Sequence, residues 1–324
     1  MDLLKMLDDC PHILIADAFI ITSDKVKKYD NIVCSISGGA DSDIVLDICS
    51  KVDPGKKIRY VWFDTGLEYQ ATKDHLKYLE KKYNVTIEII KAVQPIPITC
   101  RKIGQPFLNK RVSDYIGRLQ KYNFKWEDRP FEELFKEYPK CKASLRWWCN
   151  NWGEDSRFNI SRYRYLKEYM VANPPTFPIS DKCCEFAKKK PVKVFISENN
   201  INLNMYGVRK AEGGARSTAY KNCFTDSNGG TDEYRPIFWI TNDVKRIYEM
   251  TYDVTHSDCY TKYGLDRTGC AGCPFGKRFE KELEIIEKYE PKLFKAVNNI
   301  FGDSYEYTRN YYKFRKEQKD KEVE

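Results

Sequence analysis

No stretch of the sequence approaches the roughly 20 apolar residues that a membrane-spanning helix needs. The best candidate, residues 12–21, is short and contains Asp17. The first ten residues include Asp2, Asp8 and Asp9 and have no small-residue cleavage site after an apolar stretch, so they do not resemble a signal peptide. We therefore expect a soluble, cytoplasmic protein with no membrane partner.

Internal repeats are also absent, and the one low-complexity tract is the charged tail of residues 313–324. Fibrous and disordered classes are excluded because 42% of the 324 residues are hydrophobic and 14% are aromatic, which is enough to bury a substantial core. The sequence does contain twelve cysteines. Disulfides are rare in a reducing compartment, so clustered thiols are expected to bind metal or to take part in chemistry.

Strand and helix patterns alternate in the first 95 residues. The predicted strands are residues 31–37, 58–64 and 85–93, and the predicted helices are residues 41–52 and 69–83. This alternation is typical of an α/β fold with a doubly wound, mostly parallel sheet. Residues 202–208 and 234–240 predict two more strands, and a long helical stretch from Arg278 onward is predicted to break at Pro291.

A glycine turn joins the first predicted strand to the first predicted helix. Glycines let the backbone approach a ligand closely, and the free amides and the dipole of the following helix attract negative charge. The hydroxyls of Ser37 and Ser42 can bond phosphate oxygens, and Asp41 can orient the turn or help to hold Mg²⁺. The candidate anion-binding residues are Ser37, Gly38, Gly39, Ala40, Asp41 and Ser42. By itself the pattern also fits an ordinary strand-to-helix turn.

The turn sequence SGGADS resembles the pyrophosphate-binding loop (PP-loop) of the adenine nucleotide alpha-hydrolase superfamily, which includes the phosphoadenylylsulfate (PAPS) reductase-like family. Two further segments are similar to motifs of that family, DTG after the second strand and GVRKAEGGARS at residues 207–217. The resemblance implies nucleotide binding by Asp64, Thr65, Gly66, Arg209, Glu212 and Arg216, and catalytic roles for Asp41, Asp64 and Arg209. Glu212 and Arg216 also have the spacing of an ordinary helical ion pair.

Four cysteines occur as two pairs, Cys183 with Cys184 and Cys270 with Cys273. Four sulfurs are compatible with zinc or with a [4Fe-4S] cluster. Adenylylsulfate reductases carry a similar CC pair and CxxC, and this resemblance implies a [4Fe-4S] cluster bound by Cys183, Cys184, Cys270 and Cys273. The related DNA phosphorothioation sulfurtransferases space their ligands differently, so Cys223 and Cys259 are alternate ligands.

The resembling enzymes perform two kinds of chemistry. Reductases use a cysteine beyond the CxxC, whereas this sequence has no cysteine after Cys273, and its loop keeps the form found in enzymes that cleave ATP. The resemblance therefore implies an ATP-pyrophosphatase-type sulfurtransferase that uses ATP, Mg²⁺ and the cluster. Its acceptor would be a nucleic acid or nucleotide, and a cysteine desulfurase or another protein would supply sulfur. The alternatives are a sulfonucleotide reductase that uses Cys100 or Cys141, and a non-catalytic binding module with a structural cluster.

The excess positive charge is concentrated in residues 101–170, which hold 16 Lys and Arg against 9 Asp and Glu. Aromatic residues are interleaved with these cations, namely Tyr115, Tyr122, Phe124, Trp126, Trp147, Trp148 and Trp152. Cationic grooves with aromatic platforms hold flexible nucleotides, so this segment is a candidate nucleic-acid interface. The same aromatics have helical core spacing, and a small helical core with solvated charges is the other interpretation.

These patterns divide the sequence into four predicted segments. Residues 1–95 form an N-terminal helix and the nucleotide-binding half of the α/β domain, and residues 96–172 form a basic, aromatic, helical insert. Residues 173–276 complete the α/β domain and carry the iron-sulfur ligands, and residues 277–324 form a C-terminal helical tail.

Overall fold

A computed structural model describes residues 3–213, 218–276 and 278–323. The chain forms two compact units. The first unit comprises Met1–Val93 and Ala187–Cys270, and the second unit comprises Gln94–Phe186 and Ala271–Glu324. The four-segment division of the sequence stays a prediction.

The first unit contains a six-stranded sheet with the order β3-β2-β1-β4-β6-β5. Its strands are β1 Ile32–Ile36, β2 Ile58–Asp64, β3 Ile87–Lys91, β4 Leu203–Tyr206, β5 Phe224–Thr225 and β6 Asp232–Tyr234. All neighbouring strands are parallel except β5, which runs antiparallel to β6. The prediction of a doubly wound, mostly parallel α/β fold is confirmed.

The helices alternate with the strands in the first unit and make up most of the second. They are α1 Leu3–Asp8, α2 Ile13–Lys28, α3 Ala40–Val52, α4 Gln70–Tyr83, α5 Ile96–Ile103, α6 Lys110–Lys121, α7 Phe131–Glu137, α8 Lys142–Trp148, α9 Leu166–Ala172, α10 Lys182–Cys184, α11 Lys190–Glu198, α12 Asn242–Thr251, α13 Asp258–Thr261, α14 Phe279–Tyr289 and α15 Pro291–Val323. Short 3₁₀ turns cover Pro139–Cys141, Ile160–Arg162 and Lys210–Glu212, and a π-helical turn covers Glu185–Lys189. The predicted break of the C-terminal helices at Pro291 is confirmed.

The central strands β1 and β4 are buried on both faces, as expected for a parallel sheet covered by helices. Because side chains alternate along a strand, Ile32, Cys34 and Ile36 of β1 join the larger core with residues of α2 and α3. Val33 points to the other face, where it packs with Phe195 of α11. This packing holds the carboxyl ends of the strands in fixed positions.

The prediction of a strand at residues 234–240 is wrong. The ladder of β6 ends at Tyr234 because Pro236 has no backbone N–H with which to continue it. The chain then turns, with hydrogen bonds from Phe238 N to Arg235 O (3.1 Å) and from Ile240 N to Ile237 O (3.0 Å).

The second unit is a helical body with its own aromatic core. Trp147 and Trp148 are 1% or less exposed, and the C-terminal helix contributes Tyr307 and Tyr311 to the same core. Gln105 pairs with Ile179 in an isolated parallel bridge, with hydrogen bonds from Gln105 N to Pro178 O (2.8 Å) and from Ser180 N to Gln105 O (2.9 Å). Among the described helices, none has the length and apolar character to cross a membrane.

Gly117 of α6 is a point of close backbone contact, because a Cβ built there would lie 2.5 Å from Ile179 O. We expect Gly117→Ala to lower the free energy of unfolding by about 1–3 kcal/mol, since packed backbone must move. The matched control is Gly302→Ala in α15, where the added Cβ meets nothing within 4 Å. That change should stabilise by about 0.5–1 kcal/mol through helix propensity. Denaturant unfolding of both variants measures the difference, and equal effects would contradict the close contact.

Candidate active site

The glycine turn lies at the carboxyl end of β1, where α3 begins. Gly38 has φ +67°, and a Cβ there would lie 2.7 Å from the Cγ2 of Thr72, so glycine alone fits. A Cβ on Gly39 would lie 3.2 Å from Tyr260 Oη and 3.3 Å from Thr268 Oγ1. The turn is therefore held closely against its neighbours within the first unit.

Ser42 closes the turn on itself. Its hydroxyl donates to Gly39 O (2.8 Å) and accepts from the amides of Ser37 (3.2 Å) and Gly39 (3.1 Å). Ser42 is 4% exposed, whereas Ser37 is exposed. Ser42 thus shapes the loop, and Ser37 presents its hydroxyl at the surface.

Asp41, the half-buried carboxylate of the turn, is bonded to two cations. Its Oδ1 accepts from Arg209 Nε (3.0 Å) and from Lys245 Nζ (2.8 Å), and its Oδ2 accepts from Arg209 Nε (3.1 Å). Arg209 is 6% exposed and also donates to Asn242 Oδ1 (2.9 Å). Gly207 permits this approach, because a Cβ there would lie 2.9 Å from the backbone carbonyl of Asp41.

The two cations meet at the point where the strand order reverses. β1 and β4 are neighbours, and the chain proceeds from β1 to one side of the sheet and from β4 to the other. Open α/β sheets bind ligands outside the carboxyl ends of their strands at such a point. The sequence predicted Arg209, but Lys245 was missed, because one lysine on a helix has no local pattern that separates it from a solvated charge.

Beneath the loop, charges of alternating sign continue from Lys245. Lys245 Nζ lies 3.6 Å from Glu249 Oε1, and Glu249 also bonds to His256 Nε2 (2.8 Å). His256 Nδ1 bonds to Asp43 Oδ2 (2.8 Å), which is shared with His75 Nε2 (3.0 Å). Asp43 is fully buried in the first turn of α3. The network joins α3, α4 and α12 under the candidate nucleotide site.

The protonation of His256 follows from its partners. Both ring nitrogens face carboxylate oxygens, and an imidazole donates two hydrogen bonds only when it is protonated. Burial opposes the charge, but the hydrogen bonds to Asp43 and Glu249 raise the pKa of His256 to about 9. His256 is therefore a cation at neutral pH.

The DTG motif follows β2, so it reaches the same edge of the sheet as the glycine turn. Asp64 Oδ1 accepts from Gly66 N (2.8 Å), and Thr65 Oγ1 donates to Glu68 Oε1 (2.6 Å). Burial raises the pKa of Glu68, against the opposing charge of Lys188. Two carboxylates, Asp64 and Glu68, thus lie at the carboxyl end of β2.

The third motif is described only in part. Glu212 lies in the 3₁₀ turn Lys210–Glu212 and pairs with Arg267, whose Nη2 is 3.3 Å from Glu212 Oε1. Arg216 lies outside the described residues. Its predicted role stays a prediction.

Three of the four paired cysteines, Cys183, Cys184 and Cys273, belong to the second unit. In the second unit, Cys183 is 4% exposed and its thiol is hydrogen-bonded to those of Cys100 and Cys184. The bond with Cys100 raises the pKa of Cys183, the bond with Cys184 opposes this, and burial adds to the increase. The charge of Cys273 acts on Cys183 in the same direction.

The CxxC turn contains the boundary between the units, since Cys270 ends a segment of the first unit. Within the second unit, Gly272 has φ +60°, its amide donates to Glu282 Oε1 (3.1 Å), and its carbonyl accepts from Tyr305 Oη. These contacts hold the turn before Cys273 against α14 and α15.

The two alternate ligands belong to the first unit. Cys259 is buried in α13 with its thiol 3.7 Å from Thr72 Oγ1, and Cys223 packs against the larger core. In the described part of the chain, no three His, Cys, Asp or Glu side chains are grouped so as to hold a single metal ion.

Most aromatics of the basic segment form the core of the second unit. Phe124, Trp126, Trp147 and Trp148 are 8% exposed or less, and Tyr115 and Tyr122 pack against the same core. Trp152 is 36% exposed and lies under the Arg146 guanidinium, whose carbon is 5.0 Å from the ring centre. The small-core interpretation therefore accounts for these rings, with Trp152 as the exposed exception.

Residues 31–143 match the family model of the phosphoadenosine phosphosulfate reductase domain. The predicted resemblance to the PAPS reductase-like family is confirmed. The matched residues include the glycine turn and the DTG motif.

A curated relative, an uncharacterized protein of Methanocaldococcus jannaschii, is 25% identical over 287 residues, which cover 87% of this chain and 43% of that protein. The chain thus spans less than half the length of that relative. Among solved structures, the phosphoadenylyl-sulfate reductase of Candida auris is similar with 14% identity and a TM-score of 0.44, covering 83% of this chain and 93% of that one. The U34-tRNA thiolase NcsA of Methanococcus maripaludis is similar with 13% identity and a TM-score of 0.36, covering 92% and 79%.

The half-buried imidazolium of His256 predicts how stability depends on pH. The pKa of His256 is about 9 in the folded chain and about 6.5 in the unfolded chain, so its stabilisation is complete below about pH 6.5 and is lost as the pH rises through about 9. Denaturant unfolding between pH 6 and pH 9.5 should show this loss in the parent protein. His256→Gln, which does not titrate, should be less stable at pH 6 and should show a shallower fall. Parallel curves for the two proteins would contradict the assignment.

Proposed function

We propose that this chain cleaves ATP to AMP and pyrophosphate and uses the reaction to transfer sulfur to a nucleic acid or nucleotide. The observation that carries the proposal is the convergence of Arg209 and Lys245 on Asp41, at the amino end of α3 and beside the glycine turn. Two cations, the loop amides and the helix dipole together favour a bound polyphosphate.

The chemistry assigned to these groups is adenylation. An acceptor oxygen attacks the α-phosphorus of ATP, the bond from the α-phosphorus to the bridging oxygen breaks, and pyrophosphate leaves. Arg209 and Lys245 stabilise the negative charge that develops on the leaving group, and Ser37 adds a hydrogen bond. The incoming sulfur nucleophile then displaces AMP from the acceptor carbon.

Asp64 suits Mg²⁺ better than Asp41 does. Asp41 already accepts hydrogen bonds from two cations, whereas Asp64 is half-buried at the end of β2 and its Oδ1 accepts a hydrogen bond from one backbone amide. Magnesium binds through one or two carboxylates together with the phosphates of its nucleotide. We therefore place Asp64 at the metal and Asp41 at the two cations, with Thr65 and Gly66 shaping the turn between them.

A [4Fe-4S] cluster fits the chemistry of the cysteine group, because its donors are thiols and Cys183 is buried. When bound, such a cluster supplies electron transfer or a site for sulfur. The proposed ligands are those expected from the sequence, Cys183, Cys184, Cys270 and Cys273. Cys183 and Cys184 end α10, directly before the charged π-helical turn, and the backbone hydrogen bond from Cys184 N to Asp181 O (3.2 Å) lies within this segment.

An open cavity of about 720 Å³ in the second unit is the proposed acceptor groove. Its cations are Lys102, Arg118, Lys121 and Lys182, and its anions are Asp114 and Asp181. Two of its lining residues are close to the thiols in the chain, since Lys102 lies two positions after Cys100 and Lys182 lies one position before Cys183. The groove therefore lies beside the thiols. A groove with excess positive charge beside a sulfur site suits a polyanionic acceptor.

The ATP assignment is tested with Lys245→Met, which keeps the length of the side chain but removes its charge. Pyrophosphate release should fall by about 10²- to 10³-fold, as expected for the loss of one group that stabilises transition-state charge. The control, Arg246→Met, removes an exposed cation from the same helix and should act at the parent rate. Asp41→Ala should also lose activity, and a parent rate in either site variant would contradict the proposal.

A sulfonucleotide reductase is the second candidate, favoured by the family match over residues 31–143. The same protein is incubated with adenylylsulfate or its 3′-phosphorylated form and a thiol reductant under anaerobic conditions. Sulfite release without pyrophosphate release from ATP would select the reductase over the sulfurtransferase.

The acceptor groove is tested with the double variant Arg118→Gln and Lys121→Gln. Binding to a single-stranded oligonucleotide should weaken, and the slope of log affinity against log salt should become shallower by about 1.4, at about 0.7 for each lost phosphate contact. The matched control is Lys136→Gln with Lys140→Gln, two exposed lysines of the same unit outside the groove. Equal slopes for the two double variants would place the acceptor elsewhere.

A further inference from the structure

Cys100 is a buried thiol of the second unit that no motif of the sequence singles out. It is 4% exposed and lies in α5, and its thiol is hydrogen-bonded to that of Cys183 in α10. Cys183 is also hydrogen-bonded to Cys184 and lies near Cys273. All four of these cysteines belong to the second unit.

The backbone holds Cys100 and Cys183 together. The bridge between Gln105 and Ile179 joins the segment that follows α5 to the segment that precedes α10. Gly104 allows the two backbones to approach closely. A Cβ at Gly104, whose φ is +137°, would lie 2.6 Å from Pro178 O. Gln105 is also fixed by its side chain, which donates to Asp303 Oδ2 (2.8 Å) and accepts from Ser304 N (3.0 Å). The contact between the two thiols is therefore a built feature of this unit.

We infer that Cys100, in place of the sequence-predicted Cys270, is the fourth thiolate ligand of the cysteine site, together with Cys183, Cys184 and Cys273. Four sulfurs are the number that a [4Fe-4S] cluster requires, and these four lie in one compact unit. The inference rests on the proposed function for the identity of the cluster, but it assigns a ligand that the paired cysteine motifs do not contain.

Other cysteines of the second unit provide a matched comparison. Cys141 is 1% exposed and its thiol donates to Arg118 O at 3.7 Å, so it is equally buried but makes a backbone contact. Replacing Cys141 controls for the loss of a buried thiol as such.

The test uses the full chain, purified without oxygen and reconstituted with ferrous iron and sulfide. Iron and sulfide per chain, visible absorption and electron paramagnetic resonance are measured for the parent, Cys100→Ser, Cys100→Ala and Cys141→Ala. Both Cys100 variants should lose about a quarter or more of the bound iron, with the signal of a three-iron cluster, because each thiolate holds one iron. Cys141→Ala should match the parent. Circular dichroism identifies any variant that is unfolded. Serine and alanine differ in polarity, so we expect at least one of the two Cys100 variants to fold and to report on iron binding.

The outcomes separate the two ideas. A parent protein that binds no iron overturns the proposed cluster and this inference with it. A parent protein that binds a four-iron cluster while both folded Cys100 variants retain it overturns the inference alone. Iron loss in Cys270→Ser with none in the Cys100 variants would return the site to the two sequence pairs and also overturn it.

Discussion

The carboxylate of Asp41 is the group on which the candidate nucleotide site depends. Arg209, Lys245 and the positive end of α3 all lie beside it, and without a negative charge these three would repel one another. Lys245 is also near Glu249, and alternating charges continue through His256 to the buried Asp43. The loop therefore rests on a network of ionic hydrogen bonds inside the first unit. A network of this kind is stable only when each charge has its partner, because an unpaired buried charge is costly.

The second unit positions its reactive groups in a different way. Close backbone contacts at Gly104 and Gly117 and the pairing of Gln105 with Ile179 hold α5 beside α10. The thiols of Cys100 and Cys183 meet as a consequence, and the basic groove opens next to them. The aromatic core supports this arrangement, so the rings of the basic segment serve packing, while the cations near them remain at the surface.

Much of the first unit could be predicted from local pattern. The run from residue 31 to residue 93 alternates strands and helices, and its glycine turn and DTG motif lie at strand ends as expected. The prediction of a strand at residues 234–240 was wrong, because the apolar pattern carries no information about the missing backbone N–H of Pro236. The aromatics of the basic segment were ambiguous for a related reason, since helical spacing fits a core and a stacking surface equally well.

The sequence by itself determined the α/β class, the glycine turn and the family resemblance, because periodicity, turn residues and short motifs are local properties of the chain. Tertiary structure alone decided which distant groups meet. The pairing of Asp41 with Arg209 depends on the neighbouring positions of β1 and β4, and the pairing of Cys100 with Cys183 depends on how α5 packs against α10. Such contacts join residues far apart in the chain, and no spacing rule encodes them, because they follow from strand order and close packing.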